Sequence, residues 1–524
     1  KGTLSVLEQV AEDVSGWRIK AVESYKCLAY CQNINHLYLE RGRMANLRDS
    51  EALANLNGPH DLQAHLVEIS GSTGARRTYR LNGVDILVWR TKAYSVTETE
   101  ARRINGKNIF TFSALGNESV LFTKPISGQT HEESSIPMPI SRQALSAHLD
   151  RYYDPMGAKS FRILKRMTDD SEWRSVGPEQ IVSADLKDRR IVEDREIEDK
   201  VAVDPESGTI AFLDDVPERV KVSYYYSFAD AIGGGEYNRP LSQAKDYSIY
   251  RVGRGWSETI SDALRKWDED KKTKGRVDAL VEILESGLHK EDSIRIGMSE
   301  DERLQIRAAK GIRPIIELEK ELIIEGAKNS SLTIDGLIIA GGPISVDGEV
   351  GRLAVRHSTI VPGLSIPLNC RPNKCAASID IKGMKGCVFI EKSIIGPVNV
   401  HSGILEPISI SIANSILDSL HADQRIASLS SSFGSLALAE LTIRNSTILG
   451  QVLVHSIKLA ENTIFQGSIE VARSQEGCIR FCYIRPGSRT PRRYNCQPDL
   501  AAKGLTGIAK AQTEDRVRPR FIST

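Results

Sequence analysis

The sequence predicts a multidomain α+β protein with a helical N-terminus, small strand-rich modules and a C-terminal right-handed parallel β-helix. Three observations predict it. Apolar residues recur at three- and four-residue steps near the start, and at two-residue steps from residue 79 on. Over residues 331–471 only 21 positions are charged, about 15% against 26% for the whole chain. In that same stretch a short unit recurs: a polar residue, a small hydroxyl, then an aliphatic residue.

Composition bounds the reading first. A chain of 524 residues allows about two to four domains at roughly 100–200 residues each. Hydrophobic residues at 40% exclude wholesale disorder. Sixty-nine basic and 68 acidic residues leave a net charge of +1, which argues neither for nor against a nucleic-acid partner; none is expected, because the basic C-terminal segment lacks interleaved aromatics. No run of about 18 apolar residues suggests a membrane-spanning helix. The first residues lack the apolar core of a signal peptide, so synthesis in the cytoplasm is expected. A start at Lys1 rather than Met suggests a piece of something longer. Eight cysteines are too few for a disulfide scaffold and read as reduced, mostly buried thiols. A zinc site from Cys478, Cys482 and Cys496 would lack the usual CxxC pair.

Residues 1–60 read as a helical segment. Leu4, Leu7, Val10, Ala11 and Val14 share one face, Thr3 is the candidate N-cap and Gly16 the stop. A second helix is expected through Ala21, Val22, Tyr25, Leu28 and Ala29. Residues 61–135 form a strand-rich module, with Asn82-Gly83 as a hairpin turn between Tyr79–Leu81 and Val84–Val88. Ile109–Phe112 and Val120–Phe122 add strands. Residues 136–325 are mixed. Ile136–Ile140, with two prolines, reads as an extended linker, and Ser141 caps a short helix. Thr209–Leu213 and Val220–Tyr226 read as a strand pair. Three helices should follow: one capped by Ser257 with Ile260, Leu264 and Trp267 on a face, one through Val277, Leu280, Val281 and Leu284, and one opened by a Ser299/Glu302 capping box.

Residues 326–484 carry the repeat. His357-Ser358-Thr359-Ile360, Lys392-Ser393-Ile394, Asn414-Ser415-Ile416, Asn445-Ser446-Thr447-Ile448 and Asn462-Thr463-Ile464 share one shape. Stacked coils pile like residues into ladders, so such units should recur at fixed places. An antiparallel sandwich would want hairpin turns throughout, yet no Asp-Gly or Asn-Gly pair follows Gly348 in this stretch. Residues 485–524 read as a basic extended tail, rich in Pro and Arg, that docks on an acidic neighbour or caps the end of the β-helix.

Catalytic signatures are hard to find. The chain has no phosphate loop, zinc-helix motif or nucleophile elbow, and its ten histidines lack ligand spacing. A polysaccharide-cleaving β-helix would need carboxylates projecting together from neighbouring coils. Asp335, Asp347, Glu349, Asp380, Glu391 and Glu406 are the candidates, but the stretch offers only Phe389, Phe433 and Phe465 for sugar stacking. No cofactor and no metal is implied.

Several segments resemble a known family. Val14-Ser15-Gly16-Trp17, Asn35-His36-Leu37 and Arg41-Gly42-Arg43 with Asn46-Leu47-Arg48-Asp49 look like phage tail protein I-type baseplate proteins of contractile tails and injection systems. Ile86–Arg90, Tyr94–Thr97 and Phe112–Asn117 are similar to the same group. Leu332–Gly342, Arg356–Gly363 and Gly477–Phe481, leading to Pro486–Tyr494, look like the β-helical half of tail-like proteins. The resemblance implies a structural role without catalysis, in which wedge proteins join around a hub and pass on the contraction trigger. Its expected partners are other baseplate proteins and copies of the chain itself, with no direct membrane insertion. Arg41, Arg43, Arg48, Arg489, Arg492 and Arg493 are the candidate partner-binding residues. The competing expectation is a carbohydrate-binding or carbohydrate-cleaving β-helix of tail-spike type. No toxin-like motif supports an injected effector.

Overall fold

The computed structural model describes residues 3–30, 33–37, 44–49, 52–53, 55–56, 61, 63–67, 79–104, 108–125, 136–168, 172–186, 200–214, 216–240, 246–362, 377–401, 406–421, 423, 425–431 and 434–521. The chain is strand-rich, with long parallel sheets. It divides into two compact units: residues 1–95, 101–113 and 118–230 in the first, and 96–100, 114–117 and 231–524 in the second.

The first unit opens with helix α1 (Leu4–Ser15), where the Thr3 hydroxyl accepts the Val6 amide and Gly16 ends the helix at a φ of 71°. The expected second helix does not form. Its residues enter strand β1 (Arg18–Glu23) and a short 3-10 turn, Ser24–Cys27. β1 pairs antiparallel with β2 (Val84–Trp89), Ala21 opposite Ile86. Asn82-Gly83 therefore does not join a local hairpin. The partner of β2 lies some sixty residues upstream, and the Gly83 carbonyl instead accepts the Ser24 amide at 2.9 Å.

Further along this unit, Thr209–Phe212 lies between Ile109–Thr111 and Val201–Asp204 in one sheet. Arg219–Phe228 pairs with Arg162–Arg166 in another. Both expected strands exist, but they pair with other strands instead of with each other. The Ile136–Ile140 segment is not a free linker either. The Thr123 amide donates to the Met138 carbonyl, the Ile140 amide to the Leu121 carbonyl, and Ile136 and Ile140 are buried. Helix α2 (Arg142–Ala147) follows, capped by Ser141 as its sequence requires.

The second unit is β-helix-like: successive passes of the chain each contribute short strands to parallel ladders. The first ladder runs through Ser248–Val252, Ala279–Ile283, Arg303–Ala308, Ser331–Asp335, Arg352–Arg356, Cys387–Glu391, Ile408–Ala413, Ala437–Arg444, Gln451–Glu461, Cys478–Arg480 and Arg492–Tyr494. A second ladder begins at Leu288–Glu291 and ends at Tyr483–Ile484. A third begins at Ile294–Met298 and ends at Ile469–Val471. Alternate aliphatics of all three point inward and make one continuous core.

The stacking starts well before residue 326. Two of the three expected helices are strands of the early rungs, Ala279–Ile283 and Arg303–Ala308. A short apolar run has no length to distinguish a buried strand from a helix, and stacking decided it. The Ser299 amide still donates to the Glu302 carboxylate at 2.8 Å, but across a tight turn. The first expected helix does form, as α3 (Ile260–Lys274), capped by Thr259 instead of Ser257. Its Ile260, Ala263, Leu264 and Trp267 are buried into the stack's core. The C-terminal stretch is not wholly extended: it adds strand Arg492–Tyr494 and helix α4 (Gly507–Arg516). Among the described residues no helix is long and apolar enough to cross a membrane.

Candidate functional site

The chemistry of the second unit concentrates at one corner of the stack, just past each strand of the first ladder. The chain turns there through a left-handed residue, at φ near 45–55° for His357, Lys392, Asn414, Asn445, Asn462, Phe481 and Asn495. Asparagine tolerates this region better than most residues, which explains its recurrence. The asparagines also stack: Asn462 Nδ2 donates to Asn445 Oδ1 at 3.2 Å, and Asn445 Nδ2 to Asn414 Oδ1 at 3.3 Å.

The next residue is the repeated hydroxyl. Ser358, Ser393, Ser415 and Ser446 each donate to the carbonyl two residues back, at 2.7–2.8 Å. Each also accepts an amide from the neighbouring rung: Leu337 to Ser358, Ser358 to Ser393, Ser393 to Ser415, and Ser415 to Ser446. The corner thereby satisfies buried backbone groups that the turn removes from the ladder. Cys482 and Cys496 continue the column, their thiols directed at the Arg480 and Tyr494 carbonyls. Burial pushes the Cys482 thiol up to about 12. These two cysteines are therefore structural rungs, and among the described residues no group of ligands could hold a metal ion.

One residue before the turn lies a charged column. In register from rung to rung it reads Arg251, Glu282, Arg307, Asp335, Arg356, Glu391, Ala413, Arg444, Glu461, Arg480 and Tyr494. Signs alternate down to Glu391, so stacking brings opposite charges together. Arg307 donates to Glu282 at 2.7 Å, Arg356 lies 3.4 Å from Glu391, and Arg480 lies 2.9 Å from Glu461. Arg307 and Asp335 are buried. Burial holds the Asp335 carboxyl above its ordinary range, against the opposing pull of Arg239, Arg356 and Arg307.

A strap, residues 231–240, crosses this corner. Gly233 donates to the Lys392 carbonyl at 2.8 Å and Gly234 to the Thr359 hydroxyl at 3.0 Å. A side chain on Gly234 would meet Ile338 at 2.5 Å, so the strap's close approach requires glycine there. Tyr237 reaches His357 Nδ1 at 3.2 Å. Arg239 donates to the carbonyls of Gly235, Ala308, Ala309 and Gly336 at 3.1–3.3 Å, with its Nε 4.0 Å from Asp335.

The expected site residues fall in different places. Arg41 and Arg43 lie outside the described residues, as does Phe433. Arg48, Arg489 and Arg492 are exposed. Arg493 is held by its own chain, bonded to Thr490, Ser488 and Asp499. The carboxylates weighed for sugar cleavage sit at separate positions of the stack. Asp335 and Glu391 belong to the charged column, Asp380 faces His401 at 2.8 Å, Glu349 pairs with Lys385, and Asp347 turns back onto Gly348. Glu406 is exposed.

The sequence reading also missed a cluster in the first unit. The buried Asp61 carboxylate meets His65 Nε2 at 2.7 Å and the Tyr79 hydroxyl at 2.8 Å, and the two rings stack at 3.8 Å. The Asp61/His65 four-residue spacing was its one local signal. No family model matches the chain, and neither does any curated protein or solved structure.

Proposed function

We propose that the chain is a structural component of a contractile phage-tail-like injection system, placed in its baseplate, where it joins wedge and hub proteins and relays the contraction trigger. In this reading the stacked unit is a right-handed parallel β-helix, the hand that parallel crossovers almost always take. The observation that carries the reading is the corner. Its asparagines, hydroxyls and much of its charged column bind one another from rung to rung. Such an arrangement suits a rigid spacer, for which large assemblies use area in place of chemistry. The resemblance of residues 1–125 and 331–495 to baseplate proteins supports the same role.

Co-sedimentation tests it. Source cells are lysed gently, the lysate is run through a density gradient, and fractions are probed for this chain. Travel with sheath and tube proteins in a megadalton fraction is the expected result. A chain running alone, as monomer or trimer, would remove the main support for the reading and direct attention to polysaccharide binding.

A further inference from the structure

The last two rungs of the corner break its pattern. Phe481 occupies the left-handed position, at a φ of 55°, where the three preceding rungs carry Asn414, Asn445 and Asn462 and the following one carries Asn495. Asparagine accepts this backbone region readily, whereas a bulky ring there is an outlier held at a cost in strain. Burial gives nothing back, because Phe481 is 50% exposed. Tyr494 stands beside it, 55% exposed, at a place in the charged column where the preceding rungs carry Arg444, Glu461 and Arg480. The two rings meet nearly edge to face, with centroids 5.8 Å apart and an interplanar angle of 81°. Core packing asks for neither ring, and a strained, exposed aromatic pair is a feature of interaction sites.

The surroundings define what the pair can hold. Asn462 and Asn495 flank Phe481 in the column, one strand spacing of about 4.8 Å to either side, so an amide borders the aromatic surface at each edge. Asn462 gives one amide proton to Asn445, and its side-chain oxygen can still accept. The charge is one-sided. Arg444 and Arg480 share the Glu461 carboxylate, at 3.7 and 2.9 Å. Arg492 lies two residues before Tyr494, on the same outward side of their strand, is exposed and forms no ion pair among the described residues. Three guanidiniums thus stand against one carboxylate. A fitting ligand has an apolar face for the rings, polar groups at its rim for the amides, and negative charge for Arg492. A sugar ring bearing a carboxylate has all three: C–H bonds across one face, hydroxyls at the edge, and an anion that a guanidinium fork takes with two parallel hydrogen bonds. An acidic peptide brings the charge without the ring, and a neutral glycan brings the ring without the charge.

We propose that this corner binds an acidic glycan, whose ring stacks on Phe481 and Tyr494, whose hydroxyls meet Asn462 and Asn495, and whose carboxylate pairs with Arg492. The site binds without cleaving. Glycoside hydrolysis takes a pair of carboxylates, and the one beside these rings, Glu461, is held by two arginines. The proposal goes beyond the assembly reading above and does not depend on it.

Three probes of equal length test it on the full chain, by titration calorimetry: an oligogalacturonate, a neutral oligoglucan and an oligoglutamate. The galacturonate is expected to bind more tightly than either of the others by roughly tenfold or more, and to weaken as salt rises. Arg492→Gln and Tyr494→Ala should each weaken it by roughly tenfold, with an unchanged circular dichroism spectrum because both positions are exposed. Phe481→Asn separates ligand from scaffold. It installs the residue that the neighbouring rungs carry, so the denaturation midpoint should hold or rise while galacturonate binding is lost. A fall in that midpoint would make Phe481 a structural residue and overturn the proposal. Equal binding of the neutral glucan would remove the acidic ligand, and equal binding of the oligoglutamate would reduce the site to bare charge. Binding indifferent to Tyr494→Ala, or no binding of the galacturonate, would overturn it as well. A chain that travels with a particle but binds no galacturonate loses this proposal alone.

Discussion

Ser393 takes the Ser358 amide at 3.2 Å and gives its own proton to the Glu391 carbonyl at 2.8 Å. One hydroxyl thus closes two backbone groups on adjacent rungs, in a place fully closed to solvent. Ser393→Ala should leave the buried Ser358 amide unmet, while the Glu391 carbonyl keeps the His357 amide, and cost about 1–3 kcal/mol. Ser393→Cys should cost less, since Cys482 and Cys496 already occupy this column. Denaturant midpoints of the two variants check the order.

The charged column makes a contrast between its buried and exposed members. Arg307 is 8% exposed and bonded to Glu282 at 2.7 Å. Arg307→Ala removes two hydrogen bonds to the Glu282 carboxylate, leaving it Arg251 at 3.8 Å, and takes a cation from beside Asp335, so a loss of about 1.5–3 kcal/mol is expected. Lys385→Ala, on the exposed pair with Glu349, should change stability little. Equal losses in equilibrium unfolding would contradict the distinction.

Asp335 sets a pH dependence. Its folded carboxyl lies above the ordinary 3.8 because burial disfavours the charged form. Between the unfolded and folded values the native state holds more protons, so this group's contribution to stability falls as pH rises through that window. Asp335→Asn does not titrate. Measured against the wild type, the variant should gain ground as pH rises above about 4, with Arg239 and Arg307 retained as its neighbours. A constant offset between the two across pH 4–7, seen in denaturation midpoints, would refute it.

The strap should be sensitive at Gly234. An added Cβ would sit 2.5 Å from Ile338 and 2.9 Å from the Leu337 carbonyl oxygen. Gly234→Ala should lift the strap and cost about 1–3 kcal/mol, with faster proteolysis within residues 231–240. Gly287→Ala is the control, because nothing lies within 4 Å of its Cβ. It should be neutral or slightly stabilising.

The parallel stacking was legible because its corner chemistry is local. A left-handed asparagine, a hydroxyl bonding two residues back and, two residues after that hydroxyl, an inward apolar side chain lie within four adjacent residues, so the pattern survives in the sequence. Cys482 and Cys496 were not recognised as rungs because a thiol had replaced the hydroxyl. The early rungs were hidden for a different reason: Glu282 and Arg307 raise the local charge, and their apolar runs fit a helix equally well. Pairing of β1 with β2, and the crossing of the strap, depend on contacts far apart along the chain, which no window reveals. For α1 the periodicity gave the right stripe on the right helix. It gave no indication that Glu8 and Glu12 would find the β1 amides and turn that stripe outward. Of the candidate partner-binding arginines, Arg493 bonds to Thr490, Ser488 and Asp499, all within six residues of it along the chain.

The first ladder also acts as a ruler. Adjacent strands sit about 4.8 Å apart, so its eleven strands hold the first and last roughly 48 Å apart. Loop length does not enter that distance. The interval from Ser415 to Ser446 is about twice that from Ser446 to Thr463, yet each advances the stack by a single step. Residues inserted between corners would widen the stack locally without lengthening it, whereas deleting one complete corner-to-corner segment would bring its two ends one strand spacing closer.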